Sequence, residues 1–193
     1  MPKEKLFDED TVLERAMELF WSKGYNGTSM DELTKATGLS RSSIYNSFGD
    51  KHALFMRSIR FYQAQQQRAL LEAVEKDDGS PLKKIRMVFR YMEDVILTDE
   101  LRKGCLVVNS TTELSNLDEK VSTLVLDNLE AMEGMFGEWV KEGQEKGEIS
   151  RSFSARSLAR HLFNSYVGMR IIGQTRPDRK GLDDIVEIAL SVL

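Results

Sequence analysis

The chain has 193 residues, a net charge of −4 and 41% hydrophobic residues, enough for one sizeable core or for a small domain beside a larger one. No run reaches the roughly 18 apolar residues of a membrane-spanning helix, and the segment MPKEKLFDED lacks the apolar stretch of a secretory signal. Its one cysteine excludes an intramolecular disulfide framework. Together these features lead us to expect a cytoplasmic protein that does not contact a membrane.

Few helix-breaking residues occur along the chain. There are three prolines, and apolar residues do not alternate with polar ones over any sustained stretch. These features predict an all-α fold of about nine helices. The first is predicted over about 10–23, ending at Gly24, with apolar residues at three- and four-residue spacing.

The segment Thr28–Lys51 has the start and stop signals of two short helices in immediate succession. Ser29 is a suitable N-cap, and Glu32 is placed to complete a capping box with it. Gly38 supplies a left-handed turn, and Ser40 is a suitable N-cap for the next helix. The pattern predicts a helix-turn-helix, which makes double-stranded DNA the expected partner.

The outward face of the second short helix is polar and rich in hydrogen-bond donors, as the first turn of a recognition helix requires. Its members are Arg41, Ser42, Ser43, Tyr45 and Asn46. Arg41 is the candidate for reading a guanine, while Tyr45 and the hydroxyls are candidates for holding phosphates. Residues 35–60 carry five basic side chains against one acidic side chain, so this segment has a charge of +4 and the remaining chain −8. A basic patch on an acidic protein favours DNA binding at one end.

Longer helices are predicted beyond this segment. The fourth runs over about 51–75 and links the two domains that we predict, residues 1–52 for DNA binding and 53–193 for ligand binding and dimerisation. The breaker Asp77–Pro81 supplies Ser80 as N-cap and Pro81 as first helical residue. Further helices are predicted at about 82–97, 102–115, 118–146, 154–174 and 181–192, punctuated by Gly147 and Gly181.

The larger domain is rich in methionine and aromatic residues, which suit an adaptable site for an apolar or aromatic effector, although core packing explains each one as well. Three polar residues on a helix rich in Leu and Val, Asn109, Thr112 and Glu113, are placed either to orient a ligand or to face solvent. The candidate effector-pocket residues are Tyr91, Val108, Asn109, Thr112, Met132, Phe136, Trp139, Phe163 and Tyr166.

The eighth predicted helix has apolar residues around more of its circumference than one core contact requires, and Gly168 and Gly173 would permit close approach of another helix. These features predict a homodimer. The interface candidates are Leu158, Leu162, Val167, Ile171 and Ile185.

Cys105 is predicted near a helix start, close to Arg102 and Lys103. This position favours a thiolate, so the residue is a candidate redox or electrophile sensor, although a lone cysteine is more often a small buried hydrophobe.

From about Asp10 to Phe55 the chain resembles the N-terminal domain of the TetR/AcrR family of transcriptional repressors. The resemblance lies in the junction LFWSKGYNGTSMDEL and the recognition segment GLSRSSIYNSF, followed by a lysine that leads into a long helix. The chain departs from the family at Asn46-Ser47, where many members have histidine followed by an aromatic residue, which affects the expected base preference rather than the fold.

The resemblance implies that Thr28 and Ser29 contact phosphate, that the outward face of the recognition helix meets the groove, and that Lys51 holds phosphate. A lysine at a helix N-terminus also suits phosphate on electrostatic grounds. The resemblance further implies a dimer built from the eighth and ninth helices, a pseudo-palindromic operator, and a small effector whose binding changes the spacing of the DNA-binding domains.

Enzymatic interpretations are disfavoured. The chain contains no nucleophile elbow or glycine-rich phosphate loop, and its single cysteine and two histidines do not form a metal-ligand pattern. We therefore expect no catalytic residue, no cofactor and no metal. The alternative is a dimeric helical ligand-binding or scaffold protein that does not bind specific DNA.

Overall fold

The computed structural model describes residues 7–75, 79–175 and 177–193. Across these residues it contains nine α-helices and no strand, which confirms the all-α prediction. The helices are α1 (Glu9–Lys23), α2 (Met30–Thr37), α3 (Arg41–Phe48), α4 (Lys51–Glu75), α5 (Pro81–Thr98), α6 (Leu106–Leu114), α7 (Glu119–Lys146), α8 (Ala155–Thr175) and α9 (Arg179–Leu190). Most of the segment MPKEKLFDED and the Asp77-Asp78 pair of the predicted break lie outside the described residues.

The predicted caps delimit the two short helices. The Ser29 N–H donates to the Glu32 carboxylate at 2.9 Å, and the Glu32 N–H donates to the Ser29 hydroxyl at 3.2 Å, which completes the capping box. Gly38 ends α2 at φ 74°, a backbone conformation that other residues adopt only with strain. The Ser40 hydroxyl accepts from the Ser43 N–H at 3.1 Å at the start of α3.

Two later helix starts differ from the prediction. Helix α6 begins at Leu106 rather than near 102, because Arg102 (φ 52°) and Gly104 (φ 68°) have backbone conformations that a right-handed helix cannot contain. Helix α9 begins before Gly181, because the Asp178 carboxylate accepts the Gly181 N–H at 3.0 Å and caps the helix two residues earlier. Gly181 therefore lies within the first turn of α9 and does not separate two helices.

The apolar side chains form two clusters, and α4 contributes to both. The first cluster joins α1–α4 to α6 and α7, and includes Phe20 and Phe55 with ring centroids 5.0 Å apart. The second lies among α4, α5, α7, α8 and α9, where Leu70 and Val74 of α4 are buried. Helix α4 therefore connects the helix-turn-helix to the C-terminal bundle through buried contacts.

Candidate DNA interface and ligand cavity

A buried apolar core sets the angle between α2 and α3. Leu33 and Ile44 are fully buried, Phe48 is buried, and Leu39 between the helices packs against the same cluster. Because these side chains occupy the inner faces of both helices, the polar face of α3 is directed to solvent. The structure thus presents the first turn of α3 as a projecting surface.

The projecting face keeps its donors accessible. Arg41 is exposed and donates to the exposed Asp31 carboxylate at 2.9 Å, a surface ion pair that DNA phosphates or bases can replace. Tyr45 is 50% exposed and Asn46 is exposed.

The serines of this turn are partly engaged within the helix. The hydroxyls of Ser42 and Ser43 each lie 2.9 Å from the Ser40 hydroxyl. Their side chains therefore belong to the capping network at the start of α3, and Ser43 is only half exposed. A DNA contact by either hydroxyl stays a prediction.

Thr28 does not have the role that the resemblance implied. Its side chain is buried, its hydroxyl donates to the Gly24 carbonyl at 2.7 Å, and its N–H donates to the Tyr25 carbonyl at 3.3 Å. With both donors engaged in the turn before α2, the prediction of a phosphate contact by this residue is wrong. Ser29 is exposed, and its hydroxyl is shared with Glu32 in the capping box.

Lys51 is the first residue of α4, as predicted, and is half-buried. Its ammonium lies 4.2 Å from the centre of the Tyr25 ring, a cation–π contact that holds the side chain beside the α1–α2 turn. Burial lowers the pKa of Lys51, while the carboxylates of Glu113 and Glu32 act in the opposite direction. The position suits a phosphate contact, which stays a prediction.

The C-terminal bundle contains a cavity of about 920 Å³ between α4, α5, α6, α7 and α8. Five of the nine predicted pocket residues line it: Tyr91, Val108, Met132, Phe163 and Tyr166. Exposed side chains such as Arg60 and Asp127 are also part of the lining, so the cavity has a solvent-accessible rim.

The other four predicted pocket residues lie elsewhere. Phe136 is fully buried in the second core cluster, and Trp139 packs against the same cluster. The Asn109 amide donates to the Lys103 carbonyl, while the exposed Thr112 donates its hydroxyl to the carbonyl of Asn109. A helical stripe shows that Phe136 and Trp139 face inward but not which side of the core is hollow, and the polarity of Asn109 and Thr112 does not show which way they point.

Arg170 was missed by the sequence analysis, although a charged residue in the apolar stretch VGMRII of α8 was a usable signal. It is only 7% exposed and lines the cavity. Its guanidinium donates to the Gly104 carbonyl at 3.2 Å and to the Tyr62 hydroxyl at 3.4 Å. A buried positive charge is therefore placed at the cavity wall.

Tyrosines surround this guanidinium. Burial raises the pKa of Tyr166 to about 12, with Arg170 acting to lower it. Burial also raises the pKa of Tyr62, reinforced by Cys105 and opposed by Arg170. Both phenols are thus neutral hydrogen-bonding groups near neutral pH.

Cys105 is half-buried on the cavity wall and is the residue immediately before α6. It interacts electrostatically with Tyr62 and Arg170. The thiol is therefore next to the buried charge rather than on the outer surface.

The segment before α6 also contacts the DNA-binding domain. The Lys103 ammonium lies 2.7 Å from the Glu18 carboxylate and 4.0 Å from the centre of the Trp21 ring, both on α1. On α6 itself, Glu113 accepts the backbone N–H groups of Tyr25 and Asn26. We predicted that Glu113 either orients a ligand or faces solvent. Neither prediction describes its hydrogen bonds to the turn after α1.

The predicted dimer residues divide into buried and exposed sets. Leu158 and Leu162 are buried inside their own subunit, so the prediction that they meet a partner is wrong for these two. Val167 lines the cavity and Ile185 packs against the second core cluster, whereas Ile171 is 48% exposed. One side of α8 packs into the core of its own subunit, so apolar residues on that side do not require a partner subunit.

The two glycines of α8 also differ. A Cβ at Gly173 would lie 2.4 Å from the Ile96 side chain, so this glycine permits close packing against α5 of the same subunit. A Cβ at Gly168 would meet no described atom within 4 Å. Both terminal helices also carry exposed apolar side chains, Ile172 on α8 and Ile188 on α9.

The described residues lack two further features. They contain no group of three or more His, Cys, Asp or Glu residues that could hold a metal ion. No helix within them is long and apolar enough to cross a membrane.

A helix-turn-helix with an exposed polar recognition face, joined through α4 to a helical bundle, defines the class of helix-turn-helix DNA-binding proteins. The family model for bacterial regulatory proteins of the tetR family matches residues 12–57, and the model for the tetracyclin repressor-like C-terminal domain matches residues 81–188. The chain belongs to the TetR family and is a DNA-binding transcriptional regulator.

Named relatives agree over most of the chain. An uncharacterised helix-turn-helix regulator, YezE of Bacillus subtilis (strain 168), is 30% identical over 194 residues, with all of both chains covered. The repressor DhaR of Mycobacterium sp. (strain GP1) is 27% identical over 182 residues, covering 94% of this chain and 90% of the relative. The solved structure of a CifR cysteine mutant complexed with 26-base-pair operator DNA has a TM-score of 0.82 at 28% identity, covering 97% of this chain and 98% of that one.

Proposed function

We propose that this regulator is a cytoplasmic repressor that binds a pseudo-palindromic operator as a homodimer and is released by a small molecule bound in the C-terminal cavity. The observation that carries the DNA-binding part is the accessible polar first turn of α3, held on a fully buried base of Leu33 and Ile44. Two such helices in a dimer would enter successive major grooves about 34 Å apart. The name of a relative supports repression, since DhaR is a repressor.

We also propose that residues 1–52 bind DNA and that residues 53–193 bind the effector and form the dimer. The first core cluster crosses that boundary, because Leu106, Val107 and Leu114 of α6 pack with side chains of α1–α4. A change in the effector domain would therefore be transmitted through packed side chains rather than through a flexible linker.

Two routes lead from the cavity to the DNA-binding domain. The first route is α4, which was predicted to link the two domains and which contributes to both core clusters. The second route is α6 with the segment before it: Cys105 and Val108 line the cavity, while Lys103 and Glu113 contact α1 and the turn that follows it. An effector that favours one position of α6 would shift the population of recognition-helix spacings.

Fluorescence anisotropy against the DNA upstream of the coding region, with a random duplex as control and a salt series, tests the proposal. A preference of about a thousandfold or more for an upstream fragment is expected for a specific regulator. Binding that stays equally weak on every genomic fragment, after refolding to remove any bound ligand, would contradict the proposed operator binding.

A second candidate mechanism is covalent sensing at Cys105. The observation favouring it is the location of the thiol on the cavity wall, where a reactive ligand that enters the cavity can reach it. An alkylating agent at neutral pH should then release DNA from the wild type and leave a Cys105→Ser variant bound. Equal release from both proteins would exclude this mechanism.

A further inference from the structure

The buried guanidinium of Arg170 has only neutral hydrogen-bond partners. The Gly104 carbonyl, the Tyr62 hydroxyl and the Tyr166 phenol surround it, and among the described residues no Asp or Glu carboxylate forms an ion pair with it. An arginine cannot lose its proton, and a buried charge is stabilised best by a charge of opposite sign. The cavity wall therefore holds a cation for which the described residues provide no carboxylate partner.

Most of the charged residues that line the cavity are basic. Arg57, Arg60, Lys120 and Arg170 line the cavity, against Asp127 as its only acidic lining residue in the described ranges. Arg57 is paired with Glu9, whereas Arg60, Lys120 and Asp127 are exposed at the rim. In a chain with a net charge of −4, this concentration of positive charge favours entry of an anion.

Much of the cavity wall is apolar. Leu70 is buried, and Leu129, Met132, Met135 and Phe163 are half-buried along α7 and α8. Methionine and leucine side chains adapt to flexible apolar ligands. A ligand that fits would have an apolar body along this wall and a negatively charged group at the Arg170 end.

We propose that the cavity binds an organic carboxylate with an apolar body, whose carboxylate pairs with Arg170. Tyr62 and Tyr166 line the cavity beside the guanidinium and can each donate a hydroxyl proton to the same carboxylate. The cation selects the charged group, and the apolar wall selects the body. The inference rests on the proposed function only in treating this ligand as the effector.

Arg170 also gives this ligand a physical connection to the DNA-binding domain. Its guanidinium donates to the Gly104 carbonyl, one residue from Lys103, whose ammonium contacts Glu18 and Trp21 of α1. A bound carboxylate draws the guanidinium toward itself, because charged acceptors form the stronger hydrogen bonds, and this weakens the bond to that carbonyl. Ligand binding thus loosens the segment before α6 at the point where it contacts α1.

Isothermal titration calorimetry of the full chain with decanoate, decanol and decylamine tests the proposal without DNA. Decanoate should bind on the order of tenfold to a hundredfold more tightly than decanol, since a charged hydrogen-bonded pair replaces a neutral one. Decylamine should bind most weakly. In an Arg170→Met variant, decanoate affinity should fall to that of decanol, while decanol affinity stays unchanged.

The controls separate charge recognition from folding. Arg170→Lys keeps the charge and should retain the preference for decanoate, and Arg60→Gln at the exposed rim should change the preference only slightly. Circular dichroism would check that each variant is folded. Equal binding of decanoate and decanol by the wild type, or a preference that persists in Arg170→Met, would overturn the proposal.

The operator assay keeps the two proposals apart. Decanoate binding that leaves operator affinity unchanged would establish the carboxylate site and contradict its effector role. Failure of operator binding would contradict the repressor proposal and leave the calorimetric result intact.

Discussion

The Glu113 carboxylate on α6 accepts a hydrogen bond from the Tyr25 backbone N–H, in the turn between α1 and α2, at 3.0 Å. Its second oxygen accepts the Asn26 N–H at 2.8 Å. The turn is shaped for this contact: Gly24 has φ 73°, and a Cβ there would lie 2.7 Å from the carboxylate. One side chain of the C-terminal bundle therefore satisfies two backbone donors in the turn between α1 and α2.

Removing this carboxylate should weaken the junction. We expect Glu113→Ala to lower the free energy of unfolding by about 1 to 2 kcal/mol, because it leaves two N–H groups without their charged acceptor in a partly solvated site. Urea denaturation at neutral pH measures the change. Thr112→Ala is the matched control, since that exposed hydroxyl donates only within α6. Equal effects of the two substitutions would show that the junction is not stabilising.

The close packing of α8 against α5 predicts opposite effects for two glycine substitutions. Gly173→Ala should lower the free energy of unfolding by about 1 to 3 kcal/mol, because the new methyl group would overlap the buried Ile96. Gly134→Ala on α7 has no described atom within 4 Å of the new carbon and should raise stability by up to about 1 kcal/mol through helix propensity. Thermal and urea unfolding would both report the difference, and a neutral result at Gly173 would contradict the packing described.

Acid stability should depend on Glu32. Its hydrogen bond with Lys23, then those with Ser29, lower the pKa of Glu32 from its usual value near 4.5 to about 2. A lowered carboxyl pKa stabilises the fold above the usual value, and that contribution disappears as pH falls from about 4.5 to about 2. The wild type should therefore lose stability over this interval more steeply than Glu32→Gln does.

Urea unfolding at a series of acidic pH values, with circular dichroism as the signal, measures this difference. Glu14→Gln is a suitable control, because its exposed carboxylate forms no ion pair with the described residues. Parallel curves for wild type and Glu32→Gln would contradict the prediction.

Arg41 and Lys51 should affect DNA binding in different ways. Arg41→Ala should cost about 1 to 3 kcal/mol and relax the preference at one base position, as expected for a side chain that reads a base. Lys51→Ala should weaken binding to all sequences and reduce the salt dependence by about one counterion, as expected for a phosphate contact. Fluorescence anisotropy with a substituted operator set and a salt series separates the two.

Asp31→Asn provides a control for Arg41, because it removes the carboxylate that pairs with the guanidinium in the free protein. Affinity for the operator should stay equal or rise. Negligible effects of all three substitutions would place the DNA contact elsewhere on the chain.

A charge on the exposed apolar residues of α8 or α9 should prevent dimer formation. Ile188 is 69% exposed and Ile171 48% exposed, so replacing either by Glu leaves the subunit core intact while placing a charge in the proposed interface. Light scattering should give the 22.0 kDa subunit mass for the variants and twice that mass for the wild type. Leu126→Glu, at an exposed site on α7, should remain dimeric.

Helix boundaries that depend on local contacts were predictable from the sequence, whereas those that depend on distant contacts were not. The first four helices and the caps of α2 were predictable because capping boxes, left-handed glycines and short apolar spacing act within a few residues, as Ser29, Glu32 and Gly38 show. The start of α6 was not predictable, because distant residues hold the segment before it: Arg170 and Gln174 of α8 donate to the carbonyls of Gly104 and Lys103.

Local signals determined the class of protein, since the helix-turn-helix and its polar face lie within one short segment. The tertiary structure alone decided which aromatic residues line a cavity, that Arg170 is a buried cation beside Gly104, and that Glu113 binds the turn after α1. It also assigned Leu158 and Leu162 to the subunit core rather than to a partner. These relationships join residues that are far apart in the chain. The local sequence around an apolar or charged side chain does not show which distant residues it contacts in the folded protein.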